Sequence, residues 1–541
     1  MNIRTIISLF AMILVGIGSG LASHEAAAGL TDTSQVNANG NQITLPGAVI
    51  GKSLDKQIGN GHGDALTSGS SVYLIKRDPA RAIRRGRQIF QRKFTESQGF
   101  GPRVSATAAG DIMANRALGA GLVDSCSGCH GRPRGSAGFG GEVVTRPDSR
   151  DAPHLFGLGL QEMLADEITT DLRAIRTQAL QRALSSNRPV TRKLKSKGIH
   201  YGKITAYPSG DVDTAAVEGV DKDLRVRPFS AEGGTVTIRE FIIGAMKAEM
   251  GLEASDPVLC AVTDPLDPQR AESPSGFVYD PGLDNFDRPP ICDGMTDRDG
   301  DGVVEEIDPA LVDYVEFYLL NYFKPAVGKQ TARTRGGRDL MTQIGCTKCH
   351  KQKLTIEHDR RIADVETRFD KNNGIFNHLF ATVTTLFSFV EDGYSYPMLL
   401  PKGNSFRVNN IFTDYKRHDL GPFFHEREYD GTLVKEFMTK PLWGVGSTAP
   451  YGHDGRSINL HEVILRHGGE AQASRNKYSQ LIPDKQRQIL EFLQTLLLFP
   501  PDDTASDLNA GNPSTQNPQD PLEHGSINLG ALFQINSEGQ E

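Results

Sequence analysis

The segment Cys346-Thr347-Lys348-Cys349-His350 decides how the rest of the chain is read. It has the form C-x-x-C-H, the attachment signature of c-type haem. Two residues between the cysteines let a single turn present both thiols to the two vinyl groups of one porphyrin. The histidine follows at once, so its imidazole reaches the iron from the proximal side. Upstream, Gly337-Arg338-Asp339-Leu340-Met341 reads as the end of a short helix entering the motif. The signature occurs a second time, as Cys126-Ser127-Gly128-Cys129-His130. The alternative, one structural zinc held by two C-x-x-C pairs, explains neither following histidine nor the long separation. The chain is therefore expected to carry two covalently bound haem c groups, with His130 and His350 as proximal iron ligands.

Outside the motifs, 541 residues allow two or three domains, and 38% hydrophobic with 23% charged residues is a globular composition. Lys and Arg number 59 against 66 Asp and Glu, a formal charge of −7, which disfavours nucleic acid as a partner. Arg4, an apolar run from Ile6 to Ile17 and small residues through Ala28 read as a secretory signal over 1–28, cleaved after Ala22 or Ala28. An uncleaved anchor is the alternative, but the run is shorter than the roughly 20 residues a bilayer span needs. Covalent haem attachment outside the cytoplasm agrees with export to the periplasm or beyond, with nothing spanning a membrane after cleavage. Four of the six cysteines belong to the motifs, leaving Cys260 and Cys292. In an oxidising compartment these two are expected to form a disulfide, worth roughly 3–4 kcal/mol in the chain-entropy model.

Along the chain, 29–71 reads as an irregular lead-in and 501–541 as an irregular tail. Between them the reading is mainly α: two cytochrome c-like haem domains with long loops, over 72–330 and 331–500. The first carries a Pro- and Asp-rich insertion, 253–310. Helices are expected at Pro79–Phe94, Gln161–Leu184, Thr237–Met250, Pro309–Phe323, Leu379–Phe389 and Ile482–Leu498. Lys324–Gly336 is read as the linker between domains, and Gly131–Gly141 as a loop around the haem edge. Within the insertion, Asp297, Asp299, Asp301, Val303, Glu305 and Asp308 stand at positions 1, 3, 5, 7, 9 and 12 of a loop with Gly302 at 6, spacing that suits Ca2+. Position 12 is Asp rather than Glu.

Several further segments carry a resemblance. Arg87-Gln88-Ile89-Phe90, Gln98-Gly99-Phe100-Gly101-Pro102 and 150–159 (Arg-Asp-Ala-Pro-His-Leu-Phe-Gly-Leu-Gly) precede or follow the first motif. Arg417-His418-Asp419-Leu420-Gly421-Pro422, Pro441-Leu442-Trp443-Gly444, His453-Asp454-Gly455-Arg456 and His467-Gly468-Gly469-Glu470-Ala471 follow the second. Together, from about Ile83 to Pro500, the chain resembles the di-haem oxidoreductase family, also labelled thiol oxidoreductase. That family is grouped with bacterial di-haem cytochrome c peroxidases and the di-haem enzyme that matures methylamine dehydrogenase.

The resemblance implies a division of labour. The haem on His130 would react with hydrogen peroxide, and the haem on His350 would pass electrons supplied by a small redox protein. Glu249, in the family's Glu-Met position, would be the distal acid/base that moves a proton between the peroxide oxygens. His467 would be the distal ligand of the second haem, with Tyr451, Met438 and Met398 as alternatives. His453 would sit near a haem propionate or between the haems, and Trp443 would relay electrons or serve the core. His154 is a candidate cap for the first iron, and His418 lies in a family motif without a derivable role. Two other readings use the same residues: an electron-transfer cytochrome without substrate chemistry, and an oxidase of a protein or thiol partner.

Overall fold

The computed structural model describes residues 54–92, 94, 125–130, 141–142, 150–289, 291–295, 304–322, 324–369, 379–428, 430–497, 507–509 and 526–528. The signal segment, most of the lead-in, the Gly131–Gly140 loop, the Gln98–Pro102 motif, Asp297 to Val303 and most of the tail lie outside the described residues.

The helix Pro309–Asn321 is the centre of the N-terminal half, with all but its first residue buried. Asp308 starts it by accepting a hydrogen bond from the Ala310 N–H at 2.8 Å, and Pro309 fills the first position, where no amide donor is needed. The helix Pro79–Gln91 crosses it at backbone contact. A Cβ on Gly86 would lie 2.0 Å from the Tyr314 carbonyl oxygen, so only glycine fits. The helix Ile238–Met250 packs on the same centre, capped by Thr237 and closed by Gly251 at φ +66°. A buried ion cluster fixes these helices to one another. Arg239 meets Asp313 at 2.8 Å, Glu316 at 2.9 Å and Asp256, all four without solvent exposure or nearly so. His62 from the N-terminal segment joins the cluster on Asp313 at 2.7 Å.

The helix Leu158–Ser186 follows, and its second half is covered by a hairpin of strands Val190–Ser196 and Ile199–Ala206. In the C-terminal half the helices Ala332–Ile344 and Pro483–Leu493 cross in backbone contact. A Cβ on Gly337 would come within 1.9 Å of the Gln488 carbonyl oxygen. Among the described residues, no helix is long and apolar enough to cross a membrane.

The mainly α expectation is overturned. The fold is mixed α/β, with a four-stranded sheet, the three-stranded sheet of the hairpin and several two-stranded ladders. Leu379–Phe389, expected as a helix, is strand Leu379–Thr385 followed by strand Phe387–Val390. The first pairs with Ala363–Phe369 through seven residues, and its run of Thr and Val suits a pleated surface better than a helix. The supposed linker at Lys324 is also a strand, Lys324–Val327, which lies between Ala363–Phe369 and Leu496–Leu497 in the same sheet. Pro325 has no amide proton to give, and the ladder shifts register opposite it, between Glu366 and Arg368. Ala332 already begins the next helix.

The hydrophobic cores cross the chain. One joins Leu164, Ile168 and Leu172 of the long helix and Leu194 and Tyr201 of the hairpin to Leu354, Ile356, Val408 and Trp443. A second combines the N-terminal helices with Ile362, Ala363 and Leu399. The third belongs to the C-terminal half and includes Met341, Phe412 and Phe492. Cys260 and Cys292 are joined by a disulfide.

Candidate active site

Both motifs form the same closed turn. The His130 N–H donates to the Cys126 carbonyl at 3.0 Å, and the His350 N–H to the Cys346 carbonyl at 3.0 Å. The first turn is capped by Ser125, whose hydroxyl accepts from the Ser127 N–H. The second follows Gly345, which ends the helix Ala332–Ile344 in the left-handed region at φ +98°. All four motif cysteines are free of disulfides.

The two histidines are aimed in the same way. His130 Nδ1 lies 2.7 Å from the Pro153 carbonyl oxygen and His350 Nδ1 lies 3.0 Å from that of Phe412. A carbonyl accepts only from a protonated nitrogen, so each Nδ1 carries the hydrogen and each Nε2 keeps its lone pair for a metal. Burial lowers both pKa values below the ordinary histidine value, which favours the same neutral form.

The residues of both turns line one continuous cavity of about 1040 Å3. Its wall includes Cys126, Cys129 and His130 at one end and Cys346, Cys349 and His350 at the other. This is at the upper end of the roughly 300–1,000 Å3 of ordinary ligand sites. Among the described residues, the Trp443 indole N–H is buried in this wall without a hydrogen-bond acceptor. Two thiol pairs on turns, two imidazoles with a free nitrogen, a large cavity between them and an unsatisfied donor in its wall fit two haem groups. The thiols would form the thioether links, Nε2 of each histidine would ligate iron, and the Trp443 N–H has capacity for a haem carboxylate.

The other candidates fall as follows. Glu249 lines the cavity near Cys129, on which its charge acts, and the neighbouring Met250 Sδ lies 3.9 Å from Cys126 Sγ. The last turn of Ile238–Met250 therefore lies along the first motif. His467 caps the helix Leu460–Arg466, and its Nδ1 is 2.7 Å from the Val463 carbonyl oxygen. Its Nε2 is thus free for a metal, as in the two motif histidines. Burial pushes its pKa down to about 4, with the neighbouring His350 acting in the same direction. Of the alternatives to His467, the Tyr451 hydroxyl donates to the Val445 carbonyl at 2.8 Å, and Met398 lies on a strand away from the cavity wall. Met438 and Tyr451 both line the cavity.

His154 has both ring nitrogens engaged, Nε2 with the Trp443 carbonyl at 3.2 Å and Nδ1 with the Phe156 N–H at 3.3 Å. In this arrangement neither is left for the first iron. His453 stacks on Phe437 at 4.0 Å between ring centres and lines the cavity, 4.0 Å from Glu426 Oε2. His418 bridges two carboxylates, Glu470 at 2.8 Å and Asp414 at 3.0 Å, beside Cys349. Burial opposes its protonation, but Asp414 and the free Cys349 thiol beside it prevail and raise its pKa to about 11. Glu305 is exposed and Asp308 acts as the helix cap described above.

Sequence reasoning missed Arg150 and Lys440. Both line the cavity. Arg150 is held by Glu426 at 2.6 Å and Glu232 at 2.7 Å. Lys440 donates to the Pro228 carbonyl at 2.7 Å, and burial takes its pKa down to about 7. The available signal was position, since Arg150 opens one quoted motif and Lys440 immediately precedes another.

Residues 352–496 match the model of a known family. It is described as "Di-haem oxidoreductase, putative peroxidase". The family's match begins just beyond the second motif and covers the segments that carry His418, Trp443, His453 and His467. No curated protein matches the chain. Among solved structures, hydrazine synthase from Kuenenia stuttgartiensis is similar at 15% identity and a TM-score of 0.21. The likeness covers 35% of this chain and 56% of that one, so it spans about half of that structure, and at this score it carries no argument.

Proposed function

We propose that the chain is an exported di-haem c-type oxidoreductase that reduces hydrogen peroxide, with electrons passed from the haem on His350 to the haem on His130. The observation that carries this reading is the single cavity. Both C-x-x-C-H turns open into it, each with its histidine oriented for a metal. The family described for residues 352–496 supports the oxidoreductase class. When bound, the two haems would supply the redox couple.

The protein's own groups do the rest. His467 lies on the His350 side of the cavity with Nε2 available, so it closes that site to substrate. Glu249 lies on the Cys129 side, and its carboxylate would take a proton from the near peroxide oxygen and return it to the far one as the O–O bond breaks. Overall, one peroxide, two electrons and two protons give two waters. Trp443 would relay electrons between the two sites, its carbonyl holding His154 beside His130 and its indole lying in the common wall. His453, Arg150 and Lys440 would meet haem carboxylates. The Asp297–Asp308 loop is part of the same proposal as a Ca2+ site, for which titration calorimetry of chelator-treated protein should show one calcium bound.

The test is to mix fully ferric and half-reduced protein with hydrogen peroxide and follow the haem spectra, alongside low-temperature EPR. One high-spin and one low-spin haem, with bleaching of the high-spin component by peroxide, is the expected result. Two unreactive low-spin haems would instead make the chain an electron-transfer cytochrome.

A further inference from the structure

We propose that the outer face of the hairpin 190–206 is the docking surface for an acidic, one-electron redox protein that delivers electrons beside the second motif. This rests on the function proposed above and names its partner.

The hairpin turns through Lys197 and Gly198, both at positive φ (46° and 80°), the turn whose twist matches paired strands. Its inner residues Leu194, Ile199, Tyr201 and Ile204 are buried. Its outer face places Lys193 directly opposite Lys203 and Lys195 opposite His200, all four exposed. Like charges facing each other across strands destabilise a sheet. Among the described residues, no carboxylate forms an ion pair with Lys193, Lys195 or Lys203, whereas Lys197 at the tip is paired with Glu167 at 2.6 Å. A bare row of cations on a chain of net charge −7 is a local feature. An acidic partner is repelled by the chain as a whole and attracted by this face, which orients its approach.

Two bonds mount the face against the second haem segment. Lys197 Nζ donates at 2.5 Å to the carbonyl of Thr355, which follows shortly after His350 in the chain. The Tyr201 hydroxyl donates to the Asp414 carbonyl at 2.9 Å, and the Asp414 side chain holds His418 next to Cys349. The basic face is therefore fixed to the residues that surround the proposed electron-entry site. Each encounter would pass one electron, oxidising the donor by one and reducing ferric iron to ferrous. Two encounters supply one peroxide.

Flavodoxin, acidic and a one-electron donor as its hydroquinone, is a suitable probe. The full-length holoprotein should be reduced by flavodoxin hydroquinone at a rate that falls as salt is raised, and oxidised flavodoxin should bind it in titration calorimetry with the same salt dependence. Reversing Lys193→Glu and Lys203→Glu together should cut the low-salt rate by about tenfold or more and remove the salt dependence. Reversing exposed Lys402→Glu, outside the hairpin, should leave the rate unchanged. Dithionite, which needs no docking, should reduce wild type and variants alike, confirming that haems and fold are intact. Salt-independent reduction of wild type, or equal rates for wild type and the double reversal, would overturn the docking proposal while leaving peroxide reduction untouched. Salt-sensitive binding to phosphatidylglycerol vesicles without such flavodoxin dependence would overturn it in favour of a membrane surface. Failure to react with peroxide after dithionite reduction would instead strike the function proposal.

Discussion

Replacing His467 with alanine should convert the second haem from low-spin to high-spin. In the ferric protein the high-spin EPR signal should double, and the low-spin signal should disappear. The reason is geometric. His467 Nδ1 is occupied by the Val463 carbonyl, so the ring has one nitrogen left, and that ring shares the cavity with His350. Removing an imidazole from an axial position leaves the iron with a vacant or water-filled site, and ligand identity sets both spin state and potential. Added imidazole should restore the low-spin spectrum, an effect that a merely structural role for His467 would not produce. An H467A protein with an unchanged low-spin signal would transfer the ligand role elsewhere, with Met438 and Tyr451 the alternatives that line the cavity.

Replacing Glu249 with glutamine should reduce kcat/KM for peroxide by about 10²–10⁴-fold, the usual contribution of a positioned acid/base. Glutamine keeps the shape and loses the proton transfer, so the haem spectra should stay the same. The pH profile gives the sharper readout. In wild type, the limb that reports deprotonation of the base should be present, and in E249Q it should be absent. The location supports this choice, because Glu249 acts electrostatically on Cys129 and its neighbour Met250 touches Cys126. Retention of the full wild-type rate by E249Q would remove Glu249 from the mechanism.

Parts of this molecule are legible in the sequence for reasons that the structure explains. Helices with a strong cap at the start can be placed to within a few residues. Thr237 and Asp308 both cap the helices expected at Thr237–Met250 and Pro309–Phe323, and Pro309 and Pro483 both occupy first turns. The two C-x-x-C-H motifs are legible because the attachment chemistry proposed for them would dictate their spacing. Strands are not. Leu379–Thr385 is a strand because Ala363–Phe369 lies beside it, and a partner across an intervening segment leaves no local mark. Lys324–Val327 contains a proline that argues against a strand between two neighbours, and only the shifted register accommodates it. In the site, residues inside spaced motifs can be found, whereas Arg150 and Lys440 matter through burial, which local pattern does not report. His154 stands as an open candidate in the sequence because the hydrogen bonds that occupy both its nitrogens come from Phe156 and the distant Trp443.

The core that joins Leu164 and Leu194 to Leu354, Val408 and Trp443 bears on how such a protein is made. A chain cut between the two motifs would lose one wall of that core, so neither half is a ready-made one-haem protein. On the function proposed above, both cofactors would have to be attached to a chain that has not yet closed. A molecule that had received only one would then carry an unfinished interior with apolar surface still exposed. On that reading, loading and folding would be coupled by the way the two halves share this core.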